Sequence, residues 1–243
     1  MSGHSHFKTV KATKDANDAK RGKIFSKLGR VIAIAVKEKG PDILTNAKLK
    51  TAVEQAKKFN MPKENIERAI KKGTGEISGE NLEEVSFEGF GPGGIALIIE
   101  GITDNKNRTL GDIKSILSQY GGKMASEGAV KWMFERKGII IVDCKLQNVD
   151  LKKEDLELSA IEAGAEDIKK QDDMLDVYTK PENLEKTKKV LEEKNLKIES
   201  ASLGWSPKEE ITLSDREKDA AQKLFEALDE NDAIQDIYSN LRD

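Results

Sequence analysis

The sequence predicts a multidomain α+β protein. A three-helix N-terminal domain (1–75) is followed by two α/β domains. The third (137–205) is ferredoxin-like, βαββαβ, and is inserted into the second (80–136 plus 206–243). Three observations predict this. The hydrophobic period changes from helical to alternating strand and helix after a Gly/Ser-rich stretch, Gly73 to Gly79. The charge changes sign at the same place: residues 1–73 hold 18 Lys/Arg against 7 Asp/Glu, while the other 170 residues hold 23 against 37. The last helix and strand have no core of their own, so they must return to the sheet begun near residue 83.

The first helix spans 14–38. At about 100° per residue, Ile24, Leu28, Val31, Ile32 and Ala35 share one face, and Lys20, Lys23, Lys27 and Arg30 form a stripe beside it. Gly40-Pro41 stops it. A second helix, 43–58, turns Leu49, Val53 and Ala56 inward. Asn60-Met61-Pro62 breaks the chain, and Pro62 suits the first turn of a third helix, where a missing N–H costs little. That helix carries Ile66, Ala69 and Ile70 inward and stops at Gly73.

Strands are predicted at 83–89 and 94–101, a helix at 107–120 and a strand at 130–136. From Gly138 the order is strand (138–143), helix (152–163), strand (166–170), strand (173–179), helix (182–194) and strand (197–204). A helix (214–229) and a short strand (233–238) close the chain. Trp132 and Trp205 are expected in a core or at a domain junction.

A net charge of +11 on residues 1–73, within a chain of net charge −3, is an electrostatic footprint for a polyphosphate. The candidate contacts are Lys8, Lys11 and Lys14 on an N-terminal arm, then Lys20, Arg21, Lys23, Lys27 and Arg30. A second group follows: Lys57, Lys58, Lys63, Arg68, Lys71 and Lys72. The plain alternative for that group is a solvated helix face paired with Glu64 and Glu67. Those two acids sit in the first turns of the third helix and would repel phosphates. Asn65 and Arg68 are therefore poorly placed to read base edges, and recognition of backbone or shape fits better.

Two loops are further candidates. Gly91, Pro92 and Gly93 lie in a Gly-rich hairpin that lacks the Gly-Lys-Ser/Thr ending of a P-loop; a turn between strands accounts for it, and a contact role stays open. Asn105, Lys106, Asn107 and Arg108 open a helix, where Asp104 or the asparagines can cap and the cations can meet an anion.

Several classes are excluded or disfavoured. The single Cys144 forms no internal disulfide. The longest apolar runs, such as Ile95 to Ile99 and Gly138 to Val142, are strand-sized, and no apolar segment follows the basic N-terminus, so no membrane span or secretory signal is expected. His4 and His6 are the only histidines, too few ligands for zinc. No nucleophile elbow, Cys/His pair or dinucleotide fingerprint is present. The expectation is a cytoplasmic, non-enzymatic protein with no cofactor and no small-molecule substrate.

The motifs also resemble a known family. Gly3-His4-Ser5, the run from Asp18 to Phe25, the run from Asn60 to Gly73, Glu88 to Gly94, and Thr103 to Thr109 are similar to the YebC/PmpR family, as is Gly121-Gly122 ahead of Trp132. The resemblance implies three domains, the third inserted into the second, and no enzymatic activity. It implies a DNA-binding transcriptional regulator, or, as for the mitochondrial translational activator of cytochrome c oxidase, a factor on the ribosome that eases translation of difficult sequences such as proline runs. His6-Phe7 stands where members often carry Lys-Trp. Thr45 to Lys50 carries lysines where members carry arginine, keeping charge but not the bidentate fork. The expected partner is nucleic acid, DNA or ribosomal RNA.

Overall fold

The computed structural model describes residues 18–79, 81–144, 153–171 and 174–242. The N-terminal region is helical: α1 (Asp18–Lys39), α2 (Ala47–Lys58) and α3 (Lys63–Thr74). Leu28, Ile32, Ala35 and Val36 of α1 meet Leu49, Val53 and Ala56 of α2 and Ile66 and Ala69 of α3 in one core. The predicted first turn of α2 is a capped loop instead. Asp42 Oδ1 accepts from the Leu44 N–H, so residues 42–46 turn locally. Asn46 then caps α2, accepting from the Leu49 N–H at 3.0 Å and donating to the Ala35 and Gly40 carbonyls at 2.7 and 2.8 Å.

Pro62 is the N-cap residue of α3, with ψ 142°, and precedes the first turn rather than lying in it. Gly73 does not stop α3. The helix runs on to Thr74, and Gly75, at φ 79°, ends it in the left-handed conformation. Gly73 has another reason to be glycine: a Cβ there would lie 2.6 Å from both the Ala33 carbonyl oxygen and Val36 Cβ. Its absence lets α3 press against α1.

Two four-stranded antiparallel sheets follow. The first contains β1 (Glu83–Phe90) and β2 (Ala96–Thr103), then, beyond α4 (Lys106–Gln119), a short β3 (Lys123–Met124). The chain next forms a 3₁₀ turn at Lys131–Met133 and enters β4 (Phe134–Asp143), which belongs to the second sheet throughout. The separate strand predicted at 130–136 is thus the start of β4, and the unpredicted β3 takes its place in the first sheet. The second sheet adds α5 (Lys153–Glu162), β5 (Asp167–Gln171), β6 (Met174–Thr179), α6 (Leu184–Glu193) and β7 (Ile198–Pro207). Its order, β5-β6-β4-β7, is the one a βαββαβ connection produces. The chain returns through α7 (Asp215–Asp229) to β8 (Ile234–Ser239), which pairs with β2.

Alternation along β2 divides the first sheet into two faces. Leu97 and Ile99 meet Ile113 and Leu117 of α4 and Leu224 and Leu228 of α7. On the opposite face Ala96 and Ile98 pack with Val130, Phe134 and Tyr238. Farther along that face Ile102, with Leu82, packs against Ala33 and Ile34 of α1. Between them Glu100 accepts from the Trp205 indole at 2.8 Å and pairs with Arg136 at 3.1 Å, tying the second sheet to the first. One strand therefore anchors both the helical region and the second sheet.

Candidate nucleic-acid interface

The cationic stripe on α1 lies beside its apolar face, as the helical period requires, but its described members Lys23, Lys27 and Arg30 meet groups of the same chain. Ala33 and Ile34 seat α1 on the end of β2, and this turns the neighbouring cations toward α7. The Lys23 ammonium pairs with Glu230. Lys27, with a side chain only 13% exposed, pairs with Asp229 and also donates to its carbonyl at 2.9 Å. Asp229 ends α7, so Lys27 meets a carboxylate and the negative end of the helix dipole together. Arg30 donates to the Ile102 carbonyl at 3.0 Å. Lys37 continues the seam, bonding Asn81 Oδ1 at 2.7 Å and the Leu82 carbonyl at 2.8 Å. Lys23, Lys27 and Arg30, expected to hold phosphates, hold the protein's own acids and carbonyls.

The second cationic group divides. Lys58 donates to the Glu199 carbonyl of β7 at 2.7 Å, linking α2 to the second sheet. Lys63 pairs with Glu67 one turn away at 3.4 Å. Lys57, Arg68, Lys71 and Lys72 are exposed, and none of them has a carboxylate partner among the described residues. Arg68, Lys71 and Lys72 stand at i, i+3 and i+4, on one side of α3 toward its C-terminal end. Glu64, also exposed, occupies the first turn. Acids at the start and bases at the end suit the α3 dipole, and they gather the free positive charge at one end. Arg21 is exposed at the start of α1. Lys8, Lys11, Lys14 and the Lys20 side chain lie outside the described residues.

The two candidate loops fall at different places. Asn105 caps α4, accepting from the Arg108 N–H at 3.0 Å. The buried hydroxyls of Thr103 and Thr109 bond each other at 2.8 Å across the turn. Arg108 pairs with Asp104, leaving Lys106 and Asn107 as the exposed, uncommitted side chains. This loop follows Ile102 directly and so adjoins the α1 seam. The Gly-rich hairpin is at the other end of β2. Gly91 and Pro92 are buried, and Gly93, at φ 65°, leaves no room for a Cβ, which would lie 2.4 Å from Leu213. Leu213 precedes α7, whereas Asp229 closes it, so a helix of about 22 Å at 1.5 Å per residue separates the hairpin from Lys27. Close packing accounts for Gly91 and Gly93, a left-handed φ of 79° accounts for Gly94, and the described candidate residues do not gather at one place.

Two further features were not legible in the sequence. Glu88 is an acid on a strand, only 3% exposed, and it accepts from the N–H groups of Gly128, Val130 and Lys131 at 2.7, 2.6 and 2.9 Å. Burial pushes its pKa up, but these bonds and the Lys131 charge outweigh burial and hold it below the usual carboxylate range. The loop that Glu88 holds presents Trp132, which is 67% exposed rather than buried. Trp205 is at the junction of the sheets, as expected. Among the described residues, no group of three or more His, Cys, Asp or Glu is placed to hold a metal ion. No described helix is long and apolar enough to cross a membrane.

Two family models match almost the whole chain. Residues 5–76 match the TACO1/YebC protein N-terminal domain, and residues 82–241 match the TACO1/YebC second and third domain. A probable transcriptional regulatory protein of Thermoanaerobacter pseudethanolicus is 46% identical over 241 residues, covering 99% of this chain and 97% of that protein. One of Caldanaerobacter subterraneus, of the same description, is 44% identical over 241 residues, covering 99% and 98%. The crystal structure of a conserved hypothetical protein from Aquifex aeolicus superposes with a TM-score of 0.85 at 43% identity, covering 93% of this chain and 91% of that one. The motifs, both sheets and the helical region thus have counterparts along the full length, and the chain belongs to the TACO1/YebC family.

Proposed function

We propose that this chain is a non-enzymatic, cytoplasmic regulator of gene expression that binds nucleic acid through its basic helical domain. The observation that carries this reading is the exposed positive charge of the helical region: Arg68, Lys71 and Lys72 toward the C-terminal end of α3 and Lys57 at the end of α2 stay exposed, while Lys23, Lys27, Arg30 and Lys58 meet the protein's own groups. Lys8, Lys11 and Lys14, outside the described residues, add to the positive charge of the same region of the sequence. In this reading the helical domain (1–75) carries the contacts. The discontinuous domain (80–136 plus 206–243) and the inserted domain (137–205) space it and keep an acidic surface away from the polyanion. The names of the relatives point to transcriptional regulation.

A second reading, translation on the ribosome through ribosomal RNA, is favoured by Glu64 and Glu67 in the first turns of α3. A helix that opens with acids suits backbone or shape recognition better than major-groove reading. Co-sedimentation with ribosomes, beside DNA titrations at several salt concentrations, separates the two. Sequence-independent DNA binding that vanishes near physiological salt, with firm ribosome association, contradicts the transcriptional reading. Tight binding to one promoter without ribosome association contradicts the ribosomal one.

A further inference from the structure

Trp132 is the only aromatic residue among the exposed large hydrophobic side chains of the described residues. A single exposed Leu on a surface is ordinary, whereas an exposed indole leaves one of the largest apolar areas of any side chain in water. The loop around it is firmly held. The buried Glu88 carboxylate takes the N–H groups of Gly128, Val130 and Lys131, the last two flanking residues on the approach to Trp132. The indole N–H donates to the Ala129 carbonyl at 2.9 Å. The Trp132 carbonyl accepts from the Lys208 ammonium at 2.8 Å, and the Lys208 N–H donates to the Met133 carbonyl at 2.9 Å.

With its N–H occupied, the indole has only its ring surface to offer. A partner must therefore recognise a flat π surface, not a donor. Lys131 precedes Trp132 in the chain, the Lys208 ammonium meets the Trp132 carbonyl, and Glu127 is the one acid within the 125–133 loop. Behind the loop, Lys131 and Arg136 lie over the Trp205 ring at 6.0 and 5.0 Å. Aromatic surface interleaved with cations is how unpaired nucleic acid is held: a base stacks on the ring and its phosphates lie by the ammonium groups. No other large apolar side chain of the 125–133 loop is exposed, so the loop lacks the contiguous apolar patch of a protein interface.

We propose that Trp132 is a preorganised stacking platform for an unpaired nucleobase, with the Lys208 ammonium beside it for an adjoining phosphate. The inference rests on the reading of the chain as a nucleic-acid binder and specifies that the nucleic acid is at least locally single-stranded. Stiffness matters here, because a loop already ordered loses little freedom when the base arrives.

The test uses the full chain and three forms: unaltered, Trp132→Phe and Trp132→Ala. The probes are a short unpaired oligoadenylate, as RNA and as DNA, and a blunt duplex of the same length. Unpaired strands should quench tryptophan fluorescence in the unaltered chain, and the quench should disappear in Trp132→Phe, which keeps Trp205. Trp132→Ala should bind unpaired strands roughly 5- to 100-fold more weakly, Trp132→Phe should retain most of the affinity, and duplex binding should be unchanged. Thermal unfolding of both variants confirms that the fold is kept. Equal affinity of Trp132→Ala and the unaltered chain for single strands overturns the proposal, as does an equal loss on duplex and single strands. If either variant fails to fold, the quench in the unaltered chain, present with unpaired strands and absent with duplex, still decides. A chain that binds neither form overturns the nucleic-acid reading itself. Salt-sensitive binding that ignores Trp132 overturns this inference alone.

Discussion

The cations of α1 and those of α3 meet opposite fates. On α1, Lys23, Lys27 and Arg30 face the end of α7 and the end of β2, where carboxylates and carbonyls receive them. On α3, Arg68, Lys71 and Lys72 face outward. Spacing does not separate the two, since both sets follow helical periodicity. What separates them is a second apolar surface. α1 has Ala33 and Ile34 beside its cations, and these bury against Leu82 and Ile102, carrying the stripe into the seam. α3 buries only the side that faces α1 and α2, so its charged side has nothing to dock on. A basic helix face indicates a polyanion partner only when no acidic surface of the same chain is positioned to take it.

The largest expected effect comes from removing the outward set. Replacing Arg68, Lys71 and Lys72 together with Gln should reduce the slope of log affinity against log salt by about two to three, and affinity at low salt by roughly 10²- to 10³-fold. Thermal stability should hardly move, because these side chains are exposed. Next is Gly73→Ala, which attacks the packing that keeps the two faces apart. Its Cβ would lie 2.6 Å from the Ala33 carbonyl oxygen, which is backbone, and 2.6 Å from Val36 Cβ, which the α1 backbone fixes, so unfolding titrations should show a loss of about 1–3 kcal/mol.

Lys27→Met should invert the first result. It removes the Lys27–Asp229 pair and should cost about 1–2 kcal/mol of stability while the salt slope stays unchanged. Asp229→Asn with Glu230→Gln removes the acids from the seam instead. Freed from them, Lys23 and Lys27 should raise polyanion affinity about two- to tenfold in filter-binding titrations, with hydrogen exchange faster in α1. The smallest effect is expected from Glu67→Gln. Its pair with Lys63 is exposed and one helical turn long, so stability should change by within about 0.5 kcal/mol.

Much of the architecture was legible because it follows from periodicity. The helical region, the βαββαβ order and the return of the last strand to the first sheet all appear in the apolar pattern. Boundaries were less legible where side chains compete with backbone. Asp42 and Asn46 hold a turn that an apolar pattern alone assigns to α2. β3 is two residues long and carries no period to detect. Gly73 looks like a helix stop, but its meaning is contact with α1, and contact between elements is not written in local sequence. The same holds for the site. Cation positions were readable, yet the docking of Lys27 on Asp229, 202 residues away, was not. Trp132 resembled core by residue type, and the contacts that hold its loop, three N–H groups on Glu88 and the bonds to Ala129 and Lys208, join residues far apart in the chain or carry no sequence signal.

The central claim is that α3 and not α1 presents the charge that meets nucleic acid. The direct test is the salt dependence of binding for two variants side by side, Lys27→Met and the triple Gln replacement of Arg68, Lys71 and Lys72. The account predicts an unchanged slope for the first and a slope lower by about two to three for the second. A lowered slope for Lys27→Met, with the triple variant binding as the unaltered chain does, would contradict it.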